Sequence, residues 1–218
     1  MSLLPLILLI LLLILMCSKS NFENVIQLPF SVVIINLDRR PDRWNSVMNE
    51  LTTKGFPEEI IYRQSAVDGN RIKKDAQRAL YLSNIDIWKK HLDGNYGTEW
   101  LLVLEDDTEL QSGYNYAKVV REFNKDKDKG NHVLRSNPGS CPTCYWGTEA
   151  MFIDKRGAAM LLEAITLDWI DKKNIPYDHA ICKSKKIPDK CIGSKSGMFK
   201  QANRVGYKFI KLSDSDIG

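Results

Sequence analysis

A chain of 218 residues, 44% hydrophobic and 27% charged, with a net charge of +4, has the composition of a folded protein. It excludes wholesale disorder, and its small positive surplus gives no broad nucleic-acid footprint, so partners must be argued from sites. Without its apolar N-terminus the chain keeps about 195 residues, enough for one α/β domain and too few for two.

Residues Leu3 to Met16 are apolar throughout, close to the length of a signal-peptide core and short of the roughly 18 to 20 residues that span a bilayer. Residues 1–20 therefore read as a signal peptide or a short signal anchor, and 21–218 as a single domain. Ser18 and Ser20 offer small residues at the spacing a signal peptidase accepts. Cleavage before Asn21 thus competes with retention as a type II membrane anchor. Either outcome directs the chain to the secretory lumen, as a secreted or an anchored protein. Downstream, Cys141, Cys144, Cys182 and Cys191 are an even number in a chain expected to reach an oxidising compartment. One or two disulfides are expected, and the three possible pairings remain open.

Val32 to Ile35 is a β-branched run followed by Pro41, a residue suited to the first position of a helix. Trp44, Val47, Met48 and Leu51 recur at helical spacing, and Gly55 is placed to end that helix. Ile60 to Val67 reads as a second strand, closed by the turn Asp68-Gly69-Asn70. A long helix follows from about Lys74 to Leu92, with Ala76, Leu80, Ser83, Ile87 and Leu92 along one side. The next strand, Leu101-Leu102-Val103-Leu104, runs straight into Glu105-Asp106-Asp107. An uncharged run of this kind suits a buried parallel strand, whose C-terminal edge is where open α/β sheets bind ligands. Three adjacent carboxylates repel one another, and a divalent cation relieves that repulsion. Hard oxygen ligands suit Mg²⁺ or Mn²⁺, which take one or two protein carboxylates and complete their shell with substrate phosphates.

Further on, a helix is expected near Tyr114 to Phe123, then an exposed charged loop to Asn131 and a second loop from Ser136 to Gly147. Ala150 to Ile153 reads as a strand, with Asp154 capping the helix from Lys155 to Ile165, and the basic stretch from Lys183 to Lys195 as loop. The alternation of strands and helices predicts a Rossmann-like three-layer α/β/α sandwich with a largely parallel sheet.

Six of these landmarks, in this order, resemble glycosyltransferase family 25, the lipooligosaccharide and collagen galactosyltransferases. They are Val33 to Arg43, Ala66-Val67-Asp68-Gly69, Leu102 to Asp107, Gly147 to Ala150 with Lys155 to Ala158, Pro176-Tyr177-Asp178, and Ser215-Asp216-Ile217. The resemblance implies a GT-A fold and a hexosyltransferase that uses a UDP-sugar donor and Mn²⁺ or Mg²⁺. The hexose would be galactose or glucose, and the acceptor a hydroxyl of a glycan or of a hydroxylysine-bearing protein in the endoplasmic reticulum or Golgi lumen.

Mapped onto this chain, the resemblance makes Glu105 and Asp107 metal ligands, with Glu105 or Asp106 holding ribose or sugar hydroxyls. Asn36, Asp38 and Asp68 would meet the nucleotide, and Arg39, Arg40 and Arg43 carry forked donors suited to diphosphate. Lys195, Lys200 and Gln201 would reach phosphate from the C-terminal side. An inverting transfer needs one general base on the acceptor side. Asp178 is the candidate, with His179 beside it. The chain departs from the family in the long helix, where Ser83-Asn84 precedes Trp88 and the family commonly has Ser-His. Asn84 removes a titratable group. That favours an alternative reading, a catalytically silent relative that binds a glycan or a cell-surface partner.

Overall fold

The computed structural model describes residues 28–72, 75–136, 148–173, 175, 180–181, 184, 189–191 and 197–201. The apolar N-terminus, Cys141, Cys144, Cys182, Asp178, His179, Lys195 and the closing Ser215-Asp216-Ile217 lie outside these residues. Among the described residues, no helix is long and apolar enough to cross a membrane.

The first half of the chain builds β1 (Ser31–Asn36), α1 (Pro41–Thr53), β2 (Ile61–Ser65), the single-turn α2 (Gly69–Ile72), α3 (Ala76–Leu92) and β3 (Trp100–Glu105). The second half adds β4 (Thr108–Leu110), α4 (Tyr116–Asn124), β5 (Val133–Arg135), β6 (Ala150–Asp154), α5 (Lys155–Ala164), α6 (Leu167–Lys173), β7 (Asp189–Cys191) and β8 (Phe199–Gln201). Among the described residues, six strands form one sheet in the order β2-β1-β3-β6-β5-β7, and β4 pairs with β8 in a separate ribbon. β1 runs parallel to β2 and β3, and β5 parallel to β7. β6 alone runs against its neighbours β3 and β5. The sheet is mainly parallel, as expected, with one reversed strand.

Side chains alternate across a strand, and each strand here is divided between two cores. Val32 and Ile34 of β1, Leu102 and Leu104 of β3, and Phe152 of β6 pack with Val47 and Leu51 of α1 and Val119 and Phe123 of α4. Val33, Ile35, Leu101, Val103, Met151 and Ile153 pack on the other face with Leu80, Ile87 and Trp88 of α3 and Ala158 and Leu161 of α5. Both faces of the central strands are therefore covered, which explains their uncharged runs. Each fully buried aliphatic side chain contributes about 1.5–3 kcal/mol.

Several local signals act as expected. Pro41 opens α1, and the Asp154 side chain accepts from Gly157 N at 2.6 Å to cap α5. Gly55 takes the positive φ of 82° that ends α1. Other expectations are corrected. Leu92 is exposed at the C-terminal end of α3 rather than part of its buried face. β7 falls in the stretch from Lys183 to Lys195 expected to be loop, and β4 and β5 lie where no element was expected.

Candidate functional site

β1 leads through α1, on one face, to β2 at its flank; β2 leads through α3, on the opposite face, to β3 at the other flank. The chain thus changes direction between β1 and β3, and open α/β sheets have their ligand crevice at such a point, beyond the strands' C-terminal ends. Asn36 ends β1 and Glu105 ends β3, and the register places Glu105 beside Ile35. Ala150, which starts the reversed β6, sits across from Leu104 and brings Thr148 and Glu149 to the same edge.

The alternation along β3 sends the three acids in different directions. Asp106 turns to the α1 side, where Arg43 Nη1 donates to its Oδ1 at 3.1 Å and Asn36 Nδ2 to its Oδ2 at 2.7 Å. Both members of the Arg43–Asp106 pair are buried. Burial raises the Asp106 carboxyl above its usual range, and Asn36 and Arg43 oppose that rise. Asn36 is fully engaged within the protein, because its second amide hydrogen goes to Arg40 O and its Oδ1 accepts from Arg63 Nε at 2.9 Å. Arg63 also stacks over Trp44 and pairs with Asp38 at 3.4 Å. These groups meet because Arg63 of β2 is in register with Ile34, whose side chain faces α1.

Glu105 is buried and accepts from Thr148 Oγ1 at 3.2 Å. Burial first, then repulsion from Asp107 and Glu149, drives its carboxyl well above the usual range. Asp107 stands at the mouth of the site. Its Oδ2 accepts from Gln201 Nε2 at 3.0 Å, and its Oδ1 is buried with no partner among the described residues. Asp106, Asp107, Thr108 and Glu109 line one side of a cleft of ≈ 140 Å³ whose other side is α1, at Ser46, Val47, Asn49 and Glu50.

The remaining candidates surround this centre. Asp38 is exposed and accepts from Ser65 Oγ at 2.8 Å. Asp68 accepts from Asn70 N at 3.1 Å and from Arg39 Nε at 3.3 Å. Arg40 closes on its neighbour Asp42 and holds that carboxyl well below its usual range. All three arginines offered for diphosphate thus face a carboxylate, and Arg43 is internal. Lys200 pairs with Glu109 at 3.3 Å. Asn84 is buried, donating to Leu80 O at 3.0 Å, with its Oδ1 unpartnered among the described residues. Sequence reading missed Thr148 as a partner of Glu105, and Arg63 entirely. Thr148 lies 43 residues from the acid it serves, and Arg63 acquires its role only from the β1–β2 register.

Among the described residues, no group of three or more His, Cys, Asp or Glu side chains has the arrangement of a metal cage. The acids do fit a cation shared with a ligand. Asp107 carries a buried oxygen with no partner among the described residues, Glu105 is pressed toward its neutral form by burial first and then by its acidic neighbours, and Mg²⁺ or Mn²⁺ needs only one or two carboxylates when phosphate oxygens supply the rest.

No protein-family model matches the chain, and no curated protein does. Solved structures do. A glycosyltransferase involved in glycosylation of the major capsid of the virus PBCV-1 matches with a TM-score of 0.53 and 12% identity, over 79% of this chain and 92% of that one. The galactosyltransferase LgtC, solved with donor and acceptor sugar analogs, matches at 0.48 and 12% identity, over 74% of this chain and 73% of its own. A cytidylyltransferase from Leptospira borgpetersenii matches at 0.47 and 12%, over 78% of each chain. The latter two likenesses add no weight to the assignment. With a mainly parallel sheet, helices on both faces and acids at the switch point, the chain has the GT-A type of fold that the PBCV-1 glycosyltransferase carries.

Proposed function

We propose that this chain is a metal-dependent glycosyltransferase of the secretory lumen, which moves a hexose from a UDP-sugar to a hydroxyl of a glycan or of a hydroxylysine-bearing protein. The observation that carries the reading is Asp107, at the C-terminal edge of β3, with one oxygen tied by Gln201 and the other buried and bare. The galactose or glucose donor and the acceptor class rest on the resemblance to glycosyltransferase family 25.

Transfer needs the leaving diphosphate neutralised, the acceptor hydroxyl deprotonated and water kept away. Mn²⁺ or Mg²⁺, held by Asp107 with Glu105 beside it, would supply the positive charge that stabilises the departing UDP. Asp106 takes no part as a ligand in this reading. Its bonds to Arg43 and Asn36 fix the turn from which Glu105 and Asp107 diverge. Asp38 and Asp68, at the ends of β1 and β2, offer carboxylate oxygens to ribose or base. Asp178 is proposed as the base that takes the acceptor proton.

The test is UDP release from a panel of UDP-sugars, with Mn²⁺ and with chelator, in the presence and absence of collagen-derived and glycan acceptors. Release that depends on metal supports the reading and names the donor. Asn84, in place of a titratable residue, favours the second reading, a silent glycan-binding relative. That reading predicts no release from any donor.

A further inference from the structure

β8 ends at Gln201, and its pairing with β4 sets Gln201 opposite Thr108, the residue that follows Asp107. The strand is firmly seated. Met198 and Phe199 are fully buried, and their backbone amides donate to Ser136 O at 3.1 and 2.9 Å. The Gln201 amide is therefore delivered to Asp107 Oδ2 from a fixed backbone, and only the side chain's own rotamer freedom has to be ordered to make that hydrogen bond.

The residue type matters as much as its place. Glu105 is already crowded by the negative charges of Asp107 and Glu149. A lysine at position 201 would neutralise Asp107, and a glutamate would add a further negative charge. A glutamine donates a hydrogen bond without altering the charge. It occupies one oxygen of Asp107 and leaves the other, Oδ1, buried and without a partner among the described residues.

We propose that Gln201 is a positioning residue. It locks the Asp107 carboxylate so that Oδ1 is presented to the divalent cation, and it does so from the far end of the chain, 94 residues away in sequence. The inference rests on the metal-dependent reading above and assigns the C-terminal ribbon a role within it. Freed of the amide, Asp107 gains rotameric freedom and loses a charge-assisted hydrogen bond, and both changes weaken cation capture.

The experiment is a Mn²⁺ titration of the full chain followed by electron paramagnetic resonance, with and without UDP, on the wild type, Gln201→Leu and Phe199→Leu. Phe199→Leu loosens the core packing of the same strand and leaves the Gln201 and Asp107 side chains in place. The expected result is Mn²⁺ affinity weakened about tenfold or more in Gln201→Leu, from one lost hydrogen bond to a charged group. Phe199→Leu should bind Mn²⁺ as the wild type does while melting below it, and Gln201→Leu should melt close to the wild type. Equal affinity in Gln201→Leu and wild type, with the wild type binding Mn²⁺, overturns the role of Gln201 alone. So does a loss in Phe199→Leu as large as that in Gln201→Leu, which would assign the effect to the strand. A folded wild type that takes up no Mn²⁺ overturns the metal reading itself, and this inference with it.

Discussion

Asp106 and Asp107 are chain neighbours with opposite consequences on substitution. Asp106 is the buried partner of Arg43, and its removal leaves a guanidinium in the α1 face of the core without that carboxylate. Loss of one member of a buried pair costs about 3–5 kcal/mol. Asp106→Ala is therefore expected to lower the urea midpoint strongly. Asp107→Ala removes a carboxylate from a repulsive cluster and is expected to leave the midpoint near the wild type while abolishing metal-dependent UDP release. His91 adds a pH dependence. Burial pushes its imidazole down to about 4, and Nε2 donates to Glu99 O at 3.1 Å. Between pH 4 and the unfolded value of 6.5 the unfolded chain binds the additional proton, so stability rises with pH across that window. The rise is on the order of 3 kcal/mol at about 1.4 kcal/mol per unit. Thermal melts from pH 4 to 7 should show a shallower rise in His91→Gln, and an unchanged slope would rule out this account of His91.

At the scale of elements, the first turn of α5 lies unusually close to the backbone just before β5. A Cβ built on Gly157 would meet His132 O at 2.2 Å, a contact with backbone that no rotamer relieves. Gly157→Ala is expected to push α5 off the sheet and cost about 1–3 kcal/mol despite alanine's better helix propensity, measured by denaturant unfolding. The long elements were legible in the sequence for local reasons: Pro41 and Gly55 bracket α1, Asp154 caps α5, and uncharged runs mark β1 and β3. β4, β5 and β8 were not legible. Each is three residues long and carries a charged or polar residue, and each exists because of a partner distant in sequence, as in the pairing of Thr108 with Gln201. The same limit hid the site's inner contacts. The acids could be read from Glu105-Asp106-Asp107, but which of them pairs inward depended on α1 lying under one face of the sheet.

For the whole molecule, the largely parallel sheet was expected from the alternation of strands and helices, and the place of the acids from the rule that open α/β sheets bind ligands beyond the strands' C-terminal ends. The reversed β6 was not anticipated, and it is the strand that brings Thr148 and Glu149 to Glu105. The central claim is that this edge is a cation-assisted nucleotide site, and isothermal titration of UDP into the folded chain tests it most directly. Run with Mn²⁺, with chelator, and on Asp107→Asn, the account predicts UDP binding that requires both the metal and Asp107. Binding that persists under chelation, or no binding by the folded wild type in Mn²⁺, would contradict it.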